Sequence, residues 1–157
     1  MAIEPIIDLT PIDLSQVAIS AEDVAKMNPQ TGDMRQLDYV AFINDDKTIA
    51  VGVKKVKDDE FWVEGHIPNR PLYPGVLMIE AAAQVSSALY HSKNEGNHFM
   101  GFTRCDNCSF RGQVVPGDTL ALVTEEKKFQ RRRFVCEAQG YVDGKFIFEV
   151  QITGMMM

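Results

Sequence analysis

Between Glu64 and Gln84 the chain reads EGHIPNRPLYPGVLMIEAAAQ, which sets a histidine beside three prolines, then a glycine and an apolar run interrupted by a single glutamate, Glu80. Pro68, Pro71 and Pro74 each fix their own φ and bias the preceding residue towards extended geometry, which predicts a stiff, polyproline-like strap holding the imidazole of His66. Pro74 suits the first position of a helix, where its missing N–H costs nothing. Gly75 and Val76 then expose unpaired N–H groups at the positive helix end, and a bare glycine lets a carbonyl approach the backbone closely. Such a terminus can hold an anion or a developing oxyanion. Glu80 falls in the second turn, among Val76, Leu77, Ile79 and three alanines. In an apolar cleft it would have a raised pKa and stay a proton donor near neutral pH, with His66 as the neutral base. A base, an acid and an oxyanion-stabilising N–H together suit removal of a proton beside a carbonyl with expulsion of a hydroxyl.

A plainer account of the same residues exists. On a helical wheel Glu80, Gln84 and Ser87 share one face, while Met78, Ala81, Ala82, Val85 and Leu89 share another, so periodicity alone favours a solvated stripe. A lone histidine near prolines is likewise more often a loop residue than a base.

The elements that must hold these groups are legible around them. Val76 to His91 has no Gly or Pro and is rich in Ala, Leu and Met, which predicts the longest helix. Residues 1–33 read as an irregular lead-in broken by Pro5 and Pro11, followed by a short helix in SAEDVAKM with Ser20 as N-cap. MRQLDYVAFI and TIAVGVKKV flank the turn-forming NDDK and predict a hairpin. Strands are expected at HFMGF, SFRGQVV, TLALVTEEKK, FVCEAQGYV and FIFEVQITG, with turns at Pro116 to Asp118, in the FQRRR reversal and at Asp143-Gly144; the terminal GMMM is expected to fray. One long helix and at least five hairpin-linked strands make an α+β architecture in which an antiparallel sheet covers a helix, one domain over residues 1–157.

Composition bounds the function. With 157 residues, 45% hydrophobic and 24% charged, the chain is that of an ordinary globular protein. A net charge of −6 argues against nucleic-acid binding, no apolar window reaches membrane-span length, and the acids near the N-terminus are unlike a signal peptide. A cytoplasmic protein with reduced thiols is expected from the odd number of cysteines. Cys105 and Cys108 form a lone C-x-x-C among strand-like neighbours, which argues against a metal or redox site there.

GHIPNRPLYPGVLMIEAAAQ resembles the H-x-P-x-x-P-x-x-P-G-V-x-x-x-E-x-x-A-Q signature of the 3-hydroxyacyl-acyl carrier protein dehydratases of FabZ and FabA type, which have the hot-dog fold, and every fixed position is present. SFRGQVVPGDTLALV is similar to the family's F-R-x-x-V-x-P-G-D-x-L segment. The resemblance implies a sheet wrapped around one central helix and dehydration of a 3-hydroxyacyl thioester on acyl carrier protein to the trans-2-enoyl thioester, without metal or organic cofactor. It implies His66 as base, Glu80 as the acid at the position where the FabZ branch has Glu, Gly75 as the N–H that polarises the thioester carbonyl, and Pro74, Val76 and Gln84 as substrate-binding neighbours. It also implies an obligate homodimer whose sites take histidine and acid from opposite subunits, often assembled further into a hexamer.

The chain departs from the pattern at Ile67, where an aromatic is usual, at Asn69, where a small residue is usual, and in NPQTGDMRQLDYV, which replaces the family's N-terminal segment. These departures bear on chain length and the tunnel wall more than on the core chemistry. Lys127, Lys128, Arg131, Arg132 and Arg133 form the one basic cluster in an acidic chain, suited to steering an acidic carrier protein, or simply to keeping a hairpin turn solvated. Two rivals stand beside the dehydratase: a hot-dog thioesterase, which has no need of His66 and the prolines, and a catalytically silent acyl-binding paralogue.

Overall fold

A computed structural model describes residues 3–96 and 98–157; Met1 and Ala2 of the expected lead-in fall outside it. Its long helix runs Gly75–His91 and its short one Ala21–Met27; in chain order these are α2 and α1. The strands are β1 (Tyr39–Ile43), β2 (Ile49–Lys55), β3 (Met100–Phe110), β4 (Thr119–Gln130), β5 (Arg133–Val142) and β6 (Lys145–Met156). They form one sheet in the order β1-β2-β4-β5-β6-β3, antiparallel at every step. The sheet curls around α2, whose Leu77, Met78, Ala81, Ala82, Val85, Ala88 and Leu89 are buried against it. This is the hot-dog arrangement expected from the sequence.

Local chemistry explains most boundaries. Ser20 caps α1 by accepting the Asp23 N–H at 3.1 Å. Asn44 Oδ1 accepts the Thr48 and Ile49 N–H groups and closes the β1–β2 turn. Asp143 and Gly144 both have positive φ, 49° and 74°, as the β5–β6 hairpin requires.

Strand β2 is buried on both faces, because α2 covers one and the N-terminal lead-in covers the other. Leu9, Ile12 and Leu14 of that lead-in pack on Val51, Ala121, Val123 and Tyr141 as a second, smaller core. Hydrogen bonds pin the lead-in there: the Ile6 N–H donates to Gln139 Oε1 at 2.9 Å, and Tyr39 donates to the Leu14 carbonyl at 2.7 Å.

Four expectations change. HFMGF and SFRGQVV are not two strands: β3 is continuous through CDNC, with bulges between Phe102 and Arg104 and between Asp106 and Ser109, and it stops at Phe110. GMMM does not fray, since Met155 and Met156 extend β6 and pair with Gly101 and Met100. Pro74 is the N-cap of α2 and not its first helical residue, its ψ of 132° being extended. The strap is a tight turn: the Arg70 N–H donates to the Ile67 carbonyl at 3.0 Å, with Pro68 and Asn69 at its centre. Asn69 has φ 64°, so the pair fits a type II turn, and asparagine tolerates the left-handed conformation there.

Candidate active site

His66 sits on the exposed loop between β2 and α2. Its Nδ1 lies 2.8 Å from the Leu72 carbonyl oxygen. A carbonyl can only accept, so Nδ1 carries the proton and the lone pair of Nε2 is free to act as a base. The type II turn folds the chain back so that this contact can form.

Gly75 begins α2, and its N–H and that of Val76 precede the first intrahelical acceptor. The Leu77 and Met78 N–H groups both bond to the Pro74 carbonyl, so the cap satisfies the second pair and leaves the first. A Cβ on Gly75 would lie 2.8 Å from Phe110 Cζ, so the absent side chain is what lets the Phe110 ring close over the helix start. Phe110 in turn stacks on Phe148, ring centroids 6.0 Å apart. Val76 is 73% exposed and offers only its backbone N–H and an outward side chain.

Glu80 is half-buried in the single chain. Its Oε1 accepts from Gln84 Nε2 at 2.8 Å. Gln84 is 1% exposed, and its amide is fully engaged: Oε1 accepts the Gln36 and Leu37 N–H groups, and Nε2 donates to the Met34 carbonyl as well as to Glu80. Expected at the substrate, Gln84 instead ties the segment before β1 to α2 and aims the carboxylate. Its burial also removes the solvated-stripe account of this face. Tyr73 lies nearby; burial, and then the Glu60, Asp38 and Glu80 carboxylates, push its hydroxyl far above the usual range, so it stays a donor, 2.7 Å from Gln36 Oε1.

A cavity of about 80 Å³ opens beside Glu80, lined by Gln30, Ser87, Phe99, Phe102 and Phe134 among others. The Gln30 amide oxygen is buried there without a hydrogen-bond partner among the described residues. His66 does not line this cavity. One chain therefore holds His66 and Glu80 at separate places.

Comparison with known proteins shows the family. The FabA-like domain model matches residues 28–151. The chain is 36% identical over 138 residues to the 3-hydroxyacyl-[acyl-carrier-protein] dehydratase FabZ of Agrobacterium fabrum, covering 86% of this chain and 88% of the relative. It is 35% identical over 137 residues to that of Lactococcus lactis, covering 87% and 89%. The chain belongs to the FabA-like family, among its FabZ members. The dehydratase heterocomplex ApeI:P from Xenorhabdus doucetiae shares the fold, with a TM-score of 0.72 at 14% identity over 85% of this chain and 90% of that one.

The basic cluster of this FabZ member is not gathered at the site within one chain. Lys127 is paired with Glu125 at 2.6 Å and Glu137 at 3.3 Å, and these carboxylates, Glu125 foremost, hold its ammonium pKa above the ordinary value. Arg131 and Arg132 form the β4–β5 turn, flanked by Lys128 and Arg133, and the Arg131 carbonyl accepts from Tyr90 at 2.8 Å near the C-terminal end of α2. At 1.5 Å per residue, that end lies roughly 20 Å from Gly75. Of the cysteines, Cys105 and Cys108 are exposed on β3, while burial pushes the Cys136 thiol up to about 12. No residue group able to hold a metal ion occurs among the described residues, and no helix among them is long and apolar enough to cross a membrane.

Sequence reasoning missed Lys54, Glu60, Trp62 and Tyr73, which sit together under the His66 loop. The one available signal was the run Asp58-Asp59-Glu60 followed by the aromatic pair Phe61-Trp62 shortly before Gly65-His66, and periodicity assigns no role to such a cluster.

Proposed function

We propose that the chain dehydrates a 3-hydroxyacyl thioester on acyl carrier protein to the trans-2-enoyl thioester, as its FabZ relatives are named for doing. The observation that carries this reading is the His66 ring, whose Nδ1–H is committed to Leu72 and whose Nε2 is left as a base. Nε2 takes a proton from C2, and the electrons of that C–H bond form the C2=C3 double bond. The Glu80 carboxyl protonates the C3 hydroxyl, which leaves as water. The Gly75 N–H holds the thioester oxygen while C2 loses its proton. His66 then returns its proton, and Glu80 regains one, through water.

The working unit is a homodimer in which His66 of one subunit meets Glu80 of the other. Two features support it. His66 is absent from the Glu80 cavity of its own chain, and β3 is a sheet edge of 11 residues that keeps Phe102 and Phe110 half-exposed. A carrier-bound substrate and reduced thiols favour a cytoplasmic setting.

The test follows enoyl absorbance as wild type, His66→Ala and Glu80→Gln hydrate a crotonyl thioester or a longer trans-2-enoyl homologue. Wild-type activity falling about a hundredfold or more in each variant is expected. No wild-type activity on free and carrier-bound thioesters alike would leave a silent acyl-binding protein.

A further inference from the structure

The loop that carries His66 leaves and rejoins the fold at two buried rings. Trp62 and Tyr73 are 3% and 2% exposed and meet edge to face, centroids 5.5 Å apart at 60°. No residue between them is buried. Both polar contacts that fix His66 run to these two ends: its backbone N–H donates to the Trp62 carbonyl at 2.9 Å, and its Nδ1–H donates to the carbonyl of Leu72, the neighbour of Tyr73. The direction of Nε2 is therefore set by how Trp62 and Tyr73 are held.

A buried ion pair holds them. Lys54 Nζ lies 3.0 Å from Glu60 Oε2, with the two side chains 6% and 12% exposed. The same oxygen accepts from Trp62 Nε1 at 3.0 Å, and Glu60 Oε1 accepts the Lys57 N–H at 2.8 Å. Lys54 Nζ also stands 6.0 Å from the centre of the Tyr73 ring. Tyr73 is fixed from the other side, its N–H donating to the Val114 carbonyl at 2.8 Å and its hydroxyl to Gln36. Desolvating an ion pair costs more than burying apolar side chains of the same size, so stability alone does not call for charge at this place. What the pair supplies is direction, because one carboxylate collects donors from β2, from the turn after it and from the root of the loop.

We propose that Lys54, Glu60, Trp62 and Tyr73 form a clamp of positioning residues that fixes the Nδ1–H tautomer and the aim of His66. The proposal rests on His66 being the base, but its first readout does not.

That readout is the ring ¹⁵N spectrum of the full-length protein, with the His66 signals assigned by their loss in His66→Ala. Wild type shows His66 as the Nδ1–H tautomer. Lys54→Met combined with Glu60→Leu removes both charges together, leaving no unpaired buried ion, and is expected to stay folded with a somewhat lower melting point, because the Trp62 Nε1–H loses its acceptor. In it His66 becomes a mixture of tautomers, and kcat for crotonyl thioester hydration falls about tenfold or more while KM stays within about twofold. Trp62→Phe keeps the ring contact with Tyr73 and deletes one N–H, so it moves both readouts the same way by a smaller amount, about threefold in kcat. A folded double variant with the wild-type tautomer and kcat overturns the proposal. Should the double variant fail to fold, unchanged readouts in Trp62→Phe overturn it instead. If wild type hydrates nothing, the dehydratase reading has failed, and the tautomer ratio alone decides the clamp.

Discussion

The carbonyl of Leu72 suits His66 to the proposed role of base, since it engages one ring nitrogen as a donor and so frees the other. Glu80 owes its aim to Gln84, and the missing Cβ of Gly75 lets the Phe110 ring lie against the helix start that offers its N–H. Gly75→Ala tests the last of these. The new methyl meets the half-exposed Phe110 ring, which can swing aside, so the melting curve is expected to shift little. A carbonyl approaching the N–H has no such escape, and kcat/KM for thioester hydration is expected to fall about tenfold or more. Equal kcat/KM in the two proteins would remove Gly75 from the chemistry. His66, Gly75 and Glu80 were legible in sequence because their types and spacing follow one short motif. The work of Gln84 was not, because its partners Met34, Gln36 and Leu37 reach it from a distant segment.

Helix α2 can lie close to the sheet because β2 thins where they cross. A Cβ on Gly52 would stand 2.7 Å from Leu37 Cδ1 and 2.8 Å from Val85 Cγ2, both fully buried with nowhere to move. Gly52→Ala is therefore expected to cost about 1–3 kcal/mol in urea unfolding, as an overpacked core does, and a midpoint unchanged from wild type would mean that helix and strand can separate freely. Strand turns were readable beforehand, since Asn44, Pro116 to Asp118 and Asp143-Gly144 carry their turn chemistry locally. The continuity of β3 was not. Its two bulges break the alternation that marks a strand, and Asn107, at φ 50° inside one of them, reads as a turn residue.

In the whole molecule, His66 stands apart from the Glu80 cavity, and the proposed active unit joins the two across a dimer. Mixing inactive His66→Ala with inactive Glu80→Gln under conditions of subunit exchange tests this. If each site draws on two chains, half of the dimers are mixed and each has one intact site, so about a quarter of wild-type activity returns. No recovery despite demonstrated exchange would place both groups of each site in a single chain. The lead-in poses a similar question of scale: Leu9, Ile12 and Leu14 read as irregular sequence, and only the folded sheet supplies the apolar face they cover. The sequence by itself determined the long helix and the hairpin turns, and it singled out His66, Glu80 and Gly75 as candidates, because periodicity, turn chemistry and motif spacing are local properties of the chain. Only the tertiary structure decided which ring nitrogen of His66 is free, what aims Glu80, and that Lys54, Glu60, Trp62 and Tyr73 underlie the loop. Those outcomes depend on groups far apart in sequence meeting at hydrogen-bond distance, and such meetings exist only once the sheet has closed around its helix.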